Sequence, residues 1–391
     1  MRQIYLDHNA TTPVDEEVLK AMLPSYREAF GNPSSAHAQG RAARVCLDKA
    51  REQVAALIGA YPAEITFTSG GTESDNLAIA GAARALKDKG NRIITSRVEH
   101  PAVLNTCKEL QKEGFVIDYV PVDGYGRIDC TALTDMITDE TLLITLQHGN
   151  SEVGTVQPIE EIGTLAKEKG ILFHTDAVQT VGKILVDTQN LPVDMLSLSS
   201  HKIYGPKGVG ALYIRRGTPA LVPLISGGGQ EKKKRGGTEN VPGIVGLGKA
   251  ADIARLRLES DRLHVSDLRN GLRQNIESRI PGVRFYGHPE FNLPNTLYLG
   301  FDGVEGQTLM IHLDLAGIFV STGTACSSGS ILPSEVLGGM AVPESEMTRT
   351  IRISLGRENR PEEMERVIDT LDKAVLEIRS KTGFSTEVAP K

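Results

Sequence analysis

The sequence predicts an α/β fold, in which a mostly parallel seven-stranded sheet carries helices on both faces and a smaller α+β domain follows. Three observations support this prediction. Short runs of β-branched apolar residues alternate with longer amphipathic stretches, two of those stretches end at a glycine, and the pattern changes character after Gly243. Alternation of strand and helix is typical of parallel sheets, because each parallel connection must cross back over the sheet.

Seven apolar runs are predicted to form the sheet. They are Glu64–Thr68, Arg92–Ser96, Val116–Val120, Thr141–Gln147, Ile171–Thr175, Asp194–Leu198 and Gly210–Ile214. Helices are predicted between several of these strands, at Ser74–Lys89 before Gly90 and at Glu160–Lys169 before Gly170. Functional residues in such folds collect on the loops that follow the carboxyl ends of the strands, so candidate residues are expected there.

The chain after Gly243 predicts a second, smaller unit. Its predicted elements are a long helix that leaves the first domain, two strands and a final helix, at Lys249–Arg279, Asn295–Phe301, Thr350–Leu355 and Pro361–Ser380. We therefore expect a large domain of residues 15–255 and a small domain formed by residues 1–14 together with residues 256–391.

The composition excludes several classes of protein. Lys and Arg total 43 against 49 Asp and Glu, and the formal net charge of −6 argues against a nucleic acid or an anionic membrane as partner. No apolar run approaches the ~18–20 residues of a membrane helix, and Asp7 stands where a signal peptide would be apolar. We expect free thiols, a reducing cytoplasm and no metal, because the cysteines are too scattered for a disulfide scaffold or a zinc module. They are Cys46, Cys107, Cys130 and Cys326.

The segment Ser69–Asp75 follows a predicted strand and opens a predicted helix. Backbone N–H groups and the helix dipole converge at such a point, glycines let a phosphate approach, and the hydroxyl of Thr72 adds a donor. Thr72 and Asp75 also have the spacing of a capping box. The segment by itself therefore supports a phosphate site and a plain capped turn about equally.

Two further strand ends carry a different chemistry. Asp176, in the segment His174–Gln179, could hold a protonated ring nitrogen, although a helix N-cap or a His-x-Asp metal pair would use the same residues. Lys202, in the segment Ser199–Gly208, closes an apolar strand. Most lysines are surface residues, but a desolvated lysine can form a Schiff base. A phosphate cradle, an acid for a ring nitrogen and an amine together describe a pyridoxal phosphate site.

Several motifs, spread in order along the chain as far as Arg352, carry a specific resemblance. They are Tyr5–Thr12, Gly31–Ser35, Ser69–Asn76, Val98–Pro101, His174–Gln179, Ser199–Gly208, Gly227–Glu231, Gly237–Asn240 and Thr322–Ser328. The chain resembles the fold-type I pyridoxal phosphate enzymes of the class V aminotransferase group, and specifically the NifS/IscS-type cysteine desulfurases. The resemblance covers nearly the whole chain, and it implies a homodimer that binds pyridoxal 5'-phosphate.

The resemblance also implies roles for individual residues. Lys202 would carry the cofactor as a Schiff base and shuttle protons, Asp176 would keep the ring nitrogen protonated, and His100 would stack on the ring and take part in acid–base steps. Arg352 would grip the substrate carboxylate with its planar fork, in a substrate site that also includes Asn32. The other implied cofactor contacts are Gly71, Thr72, Ser199 and His201 at the phosphate, Gln179 and Ser151 near the ring hydroxyl, and Thr238 from a neighbouring subunit.

Cys326 is the implied sulfur acceptor, whereas the other three cysteines are interpreted as packing residues. Its neighbours are Gly, Ser, Thr and Ala, which cannot build a hydrophobic niche, so the loop is expected to be exposed and mobile. The stretch Ser327–Val342 prolongs it, as in the long-loop desulfurases. The implied reaction converts L-cysteine to L-alanine and leaves the sulfur as a persulfide on Cys326, for an acceptor such as an iron–sulfur scaffold protein.

One departure from the family pattern concerns the substrate side of the site. The family has Asn-Asn-Glu before Gly-Thr, whereas this chain has Asn150, Ser151 and Glu152. Serine is shorter and lacks the fixed donor and acceptor of an amide, so Asn150 or a water would have to compensate. Two alternatives therefore stay open: a related pyridoxal phosphate enzyme, such as a selenocysteine lyase or transaminase with Cys326 incidental, and a sulfur-delivery scaffold with weak intrinsic activity.

Overall fold

The elements below come from a computed structural model, which describes residues 3–322 and 334–384. The strands are β1 (Ile4–Tyr5), β2 (Ile65–Thr68), β3 (Arg92–Ser96), β4 (Val116–Val120), β5 (Thr141–Thr145), β6 (Leu172–Asp176), β7 (Met195–Ser199), β8 (Gly210–Ile214), β9 (Val283–Tyr286), β10 (Thr296–Phe301), β11 (Ile318–Phe319) and β12 (Thr350–Ser354). The helices are α1 (Glu16–Arg27), α2 (Ala38–Leu57), α3 (Gly71–Ala85), α4 (Pro101–Lys112), α5 (Cys130–Met136), α6 (Ile159–Lys169), α7 (Val241–Arg279), α8 (Gly306–Leu315), α9 (Glu335–Gly339), α10 (Glu344–Met347) and α11 (Pro361–Thr382).

The central sheet has seven strands in the order β2-β8-β7-β6-β5-β3-β4. β8 runs antiparallel to β2 and to β7, and the pairs from β7 across to β4 are parallel. The fold class predicted from the sequence is therefore confirmed. Each predicted strand of this sheet begins and ends within two residues of its observed bounds.

Two predicted helices have different bounds in the structure. α3 begins three residues before the predicted Ser74 and ends four residues before Lys89, and its first bond joins Ser74 N to Gly70 O at 3.1 Å. α7 begins eight residues before the predicted Lys249, because the side chain of Asn240 caps its N-terminus. Apolar periodicity misplaced both starts: α7 begins where Asn240 caps it, whereas α3 begins after Gly70 without a side-chain cap.

Hydrophobic clusters cover both faces of the sheet and also the C-terminal strands. The helices α1, α2, α6 and α7 pack on one face and α3 and α4 on the other, so that Tyr213 and Leu212, which are adjacent in β8, belong to different clusters. A further cluster joins β1, β10 and β12 to α8, α11 and the second half of α7, where Leu272 and Ile276 are buried. α7 therefore contributes to two cores, and the domain boundary near residue 255 stays a prediction.

A helix that crosses a bilayer must be both long and apolar. None of them, among residues 3–322 and 334–384, is both long enough and apolar enough to cross a bilayer.

Candidate active site

A cleft of about 450 Å³ lies at the edge of the sheet where β6 and β7 end and where α3 and α4 begin. The carboxyl ends of parallel strands meet at this edge, so residues far apart in the sequence come together there. The predicted site residues that line the cleft are Gly71, Thr72, His100, Ser151, Asp176, Gln179, Ser199, His201, Lys202 and Arg352. Asn32 and Thr238 lie outside this lining, and both are exposed. The side chain of Asn32 accepts a hydrogen bond from Ser34 N at 2.9 Å instead.

Lys202 lies at the end of a single 3₁₀ turn, Ser200–Lys202, directly after β7. Its Nζ donates to the backbone oxygens of Asn9 and Ala10, the second at 2.8 Å. Burial, helped by the charge of Arg352, lowers the pKa of Lys202 to about 8. A larger fraction of the amine is therefore unprotonated at neutral pH than for an exposed lysine, and the unprotonated amine is the form that attacks a carbonyl.

Asp176 and His100 lie close together in the cleft, with a carboxylate oxygen and a ring nitrogen within 4.8 Å of each other. Asp176 accepts a hydrogen bond from Val178 N at 2.9 Å. Burial raises the pKa of Asp176, whereas the charge of His100, the bond from Val178 N and the charge of Lys202 act in the opposite direction. His100 accepts from Ala102 N through Nδ1 at 3.1 Å, and burial lowers its pKa, so the neutral ring carries its proton on Nε2.

The N-terminus of α3 forms the end of the cleft that suits an anion. The first bond of the helix starts at Ser74 N, so the N–H groups of Gly71 and Thr72 precede the hydrogen-bonded part of the helix. Thr72 lies inside the helix and Gly70 is its N-cap, without a side-chain cap, so the alternative interpretation of a capping box is wrong. A Cβ atom at Gly71 would lie 2.8 Å from Val178 Cγ2, which explains why this position requires glycine.

Arg352 enters the cleft from β12 with its guanidinium held on two sides. Nη2 donates to Asp7 Oδ1 at 2.7 Å and Nη1 donates to the backbone oxygen of Ser151 at 3.0 Å. Nε is buried and has no hydrogen-bond partner among the described residues. The guanidinium is therefore fixed in orientation and retains a donor that is not yet used, as expected for a group that binds a carboxylate.

The structure answers one of the questions that Ser151 raises. The side chain of Asn150 donates to Val98 O at 3.0 Å and accepts from the backbone N–H groups of Glu152 and Val153. Asn150 is 1 % exposed, is held at both ends of its amide and is absent from the lining of the cleft, so the structure does not support the expectation that it compensates for Ser151. Ser151 instead contributes its backbone oxygen, which accepts from Arg352 and from Asn9 Nδ2.

Residues that sequence reasoning did not assign to the site lie directly beneath it. Asn9 connects the N-terminal segment to the cleft, since its backbone oxygen accepts from Lys202 Nζ and from Gln179 Nε2. Its side-chain Oδ1 accepts from Lys183 Nζ at 3.0 Å, and the same Nζ donates to Gln179 Oε1 at 2.8 Å. Two buried carboxyl groups, Asp75 and Glu99, complete the set. No sequence signal marks their burial, because lysine and the acids are usually surface residues.

Cys326, the predicted sulfur acceptor, lies outside the described residues. The described residues on either side of that gap belong to the cleft region. Thr322 lines the cleft, and Ser334 donates from its hydroxyl to Glu152 Oε2 at 2.6 Å. The thiols of Cys107 and Cys130 have pKa values raised by burial to about 12 and about 11, which suits the packing role predicted for them.

The donor set matches the groups of pyridoxal phosphate. A half-buried amine suits its aldehyde, the carboxyl of Asp176 suits its ring nitrogen, and the N-terminus of α3 suits its phosphate. Asp75, His100 and Asp176 also place ligand atoms within 4.8 Å of one another, as a metal site would. However, Nδ1 of His100 and Oδ1 of Asp176 already accept from the backbone N–H groups of Ala102 and Val178. The residues therefore fit the cofactor better than a metal ion.

The comparisons with known proteins agree with this geometry. The family model described as "Aminotransferase class-V" matches residues 4–367. A relative named cysteine desulfurase IscS, from Dictyoglomus turgidum, is 48% identical over 386 residues, which cover 99% of this chain and 98% of the relative. Another of that name, from Methanosarcina thermophila, is 47% identical over 384 residues, covering 98% of this chain and 95% of the relative.

Solved structures give the same result. A NifS-like protein superposes with a TM-score of 0.90 at 41% identity, covering 96% of this chain and 100% of the other. A structure titled "SspA in complex with cysteine" has a TM-score of 0.80 at 39% identity, covering 91% of this chain and 100% of the other. The chain therefore belongs to the class-V aminotransferase family, whose members depend on pyridoxal phosphate. Within that family it belongs to the cysteine desulfurases, and the resemblance inferred from the sequence is confirmed.

Proposed function

We propose that this chain converts L-cysteine to L-alanine with pyridoxal phosphate, and that Cys326 receives the sulfur as a persulfide and passes it to an acceptor protein. The observation that carries the proposal is the convergence of Lys202, Asp176 and Arg352 on one cleft. The amine of Lys202 would bind the aldehyde of the cofactor and the buried acid of Asp176 would bind its ring nitrogen. The guanidinium of Arg352 would bind the substrate carboxylate. The names of the relatives point to the same activity.

Different residues of the cleft would bind different groups of the cofactor. Lys202 would bind its aldehyde carbon and Asp176 its ring nitrogen, and Gln179 would donate to the ring hydroxyl. The phosphate would be held by Gly71, Thr72, Ser199 and His201, together with Thr238 of a neighbouring subunit. When bound, the cofactor supplies an electron sink for the charge that develops at the substrate Cα.

Two residues of this chain handle protons. Lys202, with a pKa of about 8, is suited to take the Cα proton at neutral pH, and its bonds to the backbone oxygens of Asn9 and Ala10 fix the position of Nζ. His100 is held by Ala102 N with Nδ1 as acceptor, so the proton on Nε2 is the one that it can donate. A fixed donor and a fixed acceptor at one cleft allow proton transfer without exchange with bulk water.

The substrate would be oriented by its carboxylate. The guanidinium of Arg352 is held by Asp7 and by the backbone oxygen of Ser151, so it does not have to be ordered when substrate arrives. Ser151 offers a hydroxyl where the family has an amide. The orientation of the substrate therefore depends more on Arg352 in this chain than in relatives with asparagine.

Sulfur transfer needs one thiolate and one proton. The thiolate of Cys326 attacks the substrate sulfur, an S–S bond forms, and the bonding pair of the broken C–S bond stays with the substrate carbon. That carbon takes a proton and becomes the methyl group of alanine. No external oxidant is required, because the carbon is reduced while the sulfur is oxidised. Because Cys326 must be a free thiol, we propose a reducing, cytoplasmic setting. We also propose that the chain forms a homodimer and that the acceptor is a protein such as an iron–sulfur scaffold.

Replacement of Cys326 tests the sulfur transfer. We expect the variant Cys326→Ala to lose alanine formation from L-cysteine, while Cys46→Ala, the matched control on α2, retains it. Undiminished alanine formation in Cys326→Ala would show instead that the cysteine is incidental, as in a selenocysteine lyase or transaminase. The cofactor site is tested separately by absorption, since the band of the bound cofactor should disappear in Lys202→Ala. Full alanine formation from L-cysteine without any added acceptor protein would exclude the alternative of a sulfur-delivery scaffold with weak intrinsic activity.

A further inference from the structure

Three carboxyl groups are buried together at the cleft, with Asp75 and Asp176 in its lining and Glu99 behind them. Asp75 on α3 is 1 % exposed, Glu99 in the turn before α4 is 2 % exposed, and Asp176 at the end of β6 is 8 % exposed. Ligand atoms of Asp75, Asp176 and His100 lie within 4.8 Å of one another. Glu99 is near enough for charge interactions with both aspartates, and like charges in a poorly solvated site raise each other's pKa.

Asp75 has surroundings that suit a neutral group. Its Oδ1 is buried without a hydrogen-bond partner among the described residues. The nearest basic group is His174, whose Nε2 lies 3.7 Å away. That ring is occupied by the hydroxyls of Thr145 and Ser197 at 2.8 and 2.9 Å, and burial lowers its pKa to about 3, so it is uncharged. An ionised Asp75 would therefore be buried without a counter-charge of its own.

Glu99 is likewise buried without a cation beside it. Its two oxygens accept from Ser96 Oγ at 2.6 Å and from Gln147 N at 2.8 Å, and both donors are neutral. Burial raises its pKa to about 8, and the charge of Asp176 acts in the same direction. Glu99 therefore holds a proton at neutral pH.

Asp176 differs from both neighbours because Lys202, the ring of His100 and a backbone donor face it. His100 and Lys202 oppose the effect of its burial, and Val178 N donates to Oδ1. We propose that Asp75 is a positioning residue that stays protonated, so that the one negative charge beneath the cleft resides on Asp176. The inference rests on the proposed function, since it is Asp176 that would pair with a protonated ring nitrogen of the cofactor.

The groups that face Asp75 come from two parts of the fold. β6 contributes Asp176 and His174, and the turn before α4 contributes Glu99 and His100. Burial raises the pKa of Asp75 well above its ordinary value, and the charges of Asp176 and Glu99 add to that effect, whereas a hydrogen bond with the Ser197 hydroxyl opposes it. Because coupling between two acids is mutual, removal of the charge on Asp176 must make Asp75 easier to ionise.

Infrared spectroscopy of the full chain tests the protonation state directly. At neutral pH we expect the wild-type protein to show a protonated-carboxyl band that is missing in Asp75→Asn. The control variant Asp88→Asn, which removes an exposed carboxylate just beyond α3, should keep that band. Loss of an ionised-carboxylate band in Asp75→Asn, with the protonated band unchanged, would overturn the proposal.

A second measurement tests the coupling to Asp176. In Asp176→Asn, the band of Asp75 should titrate at a pH lower by about one unit or more than in the wild type, because one neighbouring charge has gone. An unshifted midpoint would refute a positioning role. Neither reading depends on turnover, so loss of alanine formation from cysteine would count against the proposed function alone.

Asp75→Asn should also bind pyridoxal phosphate as the wild-type chain does, because the amide is neutral and has nearly the same shape as the protonated acid. Loss of cofactor binding in Asp75→Asn, in a variant that unfolds at the same urea concentration as wild type, would mean that Asp75 is ionised. That result would contradict the inference even if the enzyme proved to be a cysteine desulfurase in every other respect.

Discussion

Glu99 allows a quantitative test of charge burial in this fold. Its pKa is raised from 4.5 to about 8 in the folded chain. Between these two values the folded chain keeps the proton and the unfolded chain releases it, so stability falls as the pH rises through this range. The limiting slope for one such group is about 1.4 kcal/mol per pH unit, or roughly 2–3 kcal/mol between pH 5 and pH 7. The loss is complete about one pH unit above the folded pKa of about 8, and this contribution then becomes constant.

The variant Glu99→Gln isolates that slope. The amide has the shape of a protonated carboxyl and can accept from Gln147 N and donate to Ser96 Oγ, provided that the serine hydroxyl turns. Any constant cost of the substitution shifts the free energy of unfolding equally at every pH. We therefore expect the unfolding free energy of Glu99→Gln, relative to that of the wild type, to increase by about 1.4 kcal/mol per pH unit between pH 5 and pH 8.

Urea unfolding followed by circular dichroism, repeated across this pH range, gives the difference directly. Glu109→Gln on α4 serves as the control, because Glu109 is exposed and forms only a surface ion pair with Lys112. The difference in unfolding free energy between Glu109→Gln and the wild type should not change with pH. A flat difference for Glu99→Gln as well would mean that Glu99 is ionised in the folded chain, and the charge assignment beneath the cleft would then be wrong.

Three other substitutions have defined outcomes. Arg352→Lys keeps a charge but loses the planar fork, so KM for L-cysteine should rise about tenfold or more in steady-state assays, with a smaller change in kcat. Lys183→Met removes a buried amine that donates to Gln179 Oε1 at 2.8 Å and whose pKa burial lowers well below its ordinary value, so kcat should fall while urea unfolding shows no loss of stability. Arg51→Ala strips its partner from Glu231, whose side chain is 4 % exposed, and should cost about 3–5 kcal/mol of unfolding free energy. An Arg51→Ala chain as stable as wild type would contradict that last estimate.

The location of the site could be predicted from sequence because it follows from topology. Asp176, Lys202 and Thr72 each follow a short apolar run, and parallel strands must end at a common edge. The strand bounds were predictable for the same reason, since runs of β-branched residues are short and end at polar residues. The three side chains therefore line one cleft although Thr72 is more than a hundred residues from the other two.

The buried polar residues around the site could not be predicted in this way. Glu99 is buried by contact with Gln147, which lies 48 residues away, and Asn9 bonds to Ser354 near the other end of the chain. Such contacts depend on how the sheet and the C-terminal strands come together, which local pattern does not record. The failure of Asn150 to compensate for Ser151 has the same origin, because its partner Val98 belongs to a distant loop.

The charges of the cleft are distributed in a way that suits a doubly anionic guest with a cationic ring. Arg352 lines the cleft and supplies a fixed positive charge for the substrate carboxylate, whereas burial lowers the pKa of both Lys202 and Lys183. Among the three buried acids of the cleft, Asp75 and Glu99 are neutral. Asp176 therefore carries their single negative charge. A second anion there would attract the proton of Lys202 and raise its pKa, which would remove the free amine that the reaction needs. The neutrality of the two buried acids and the low pKa of the lysine are therefore one electrostatic property of the fold.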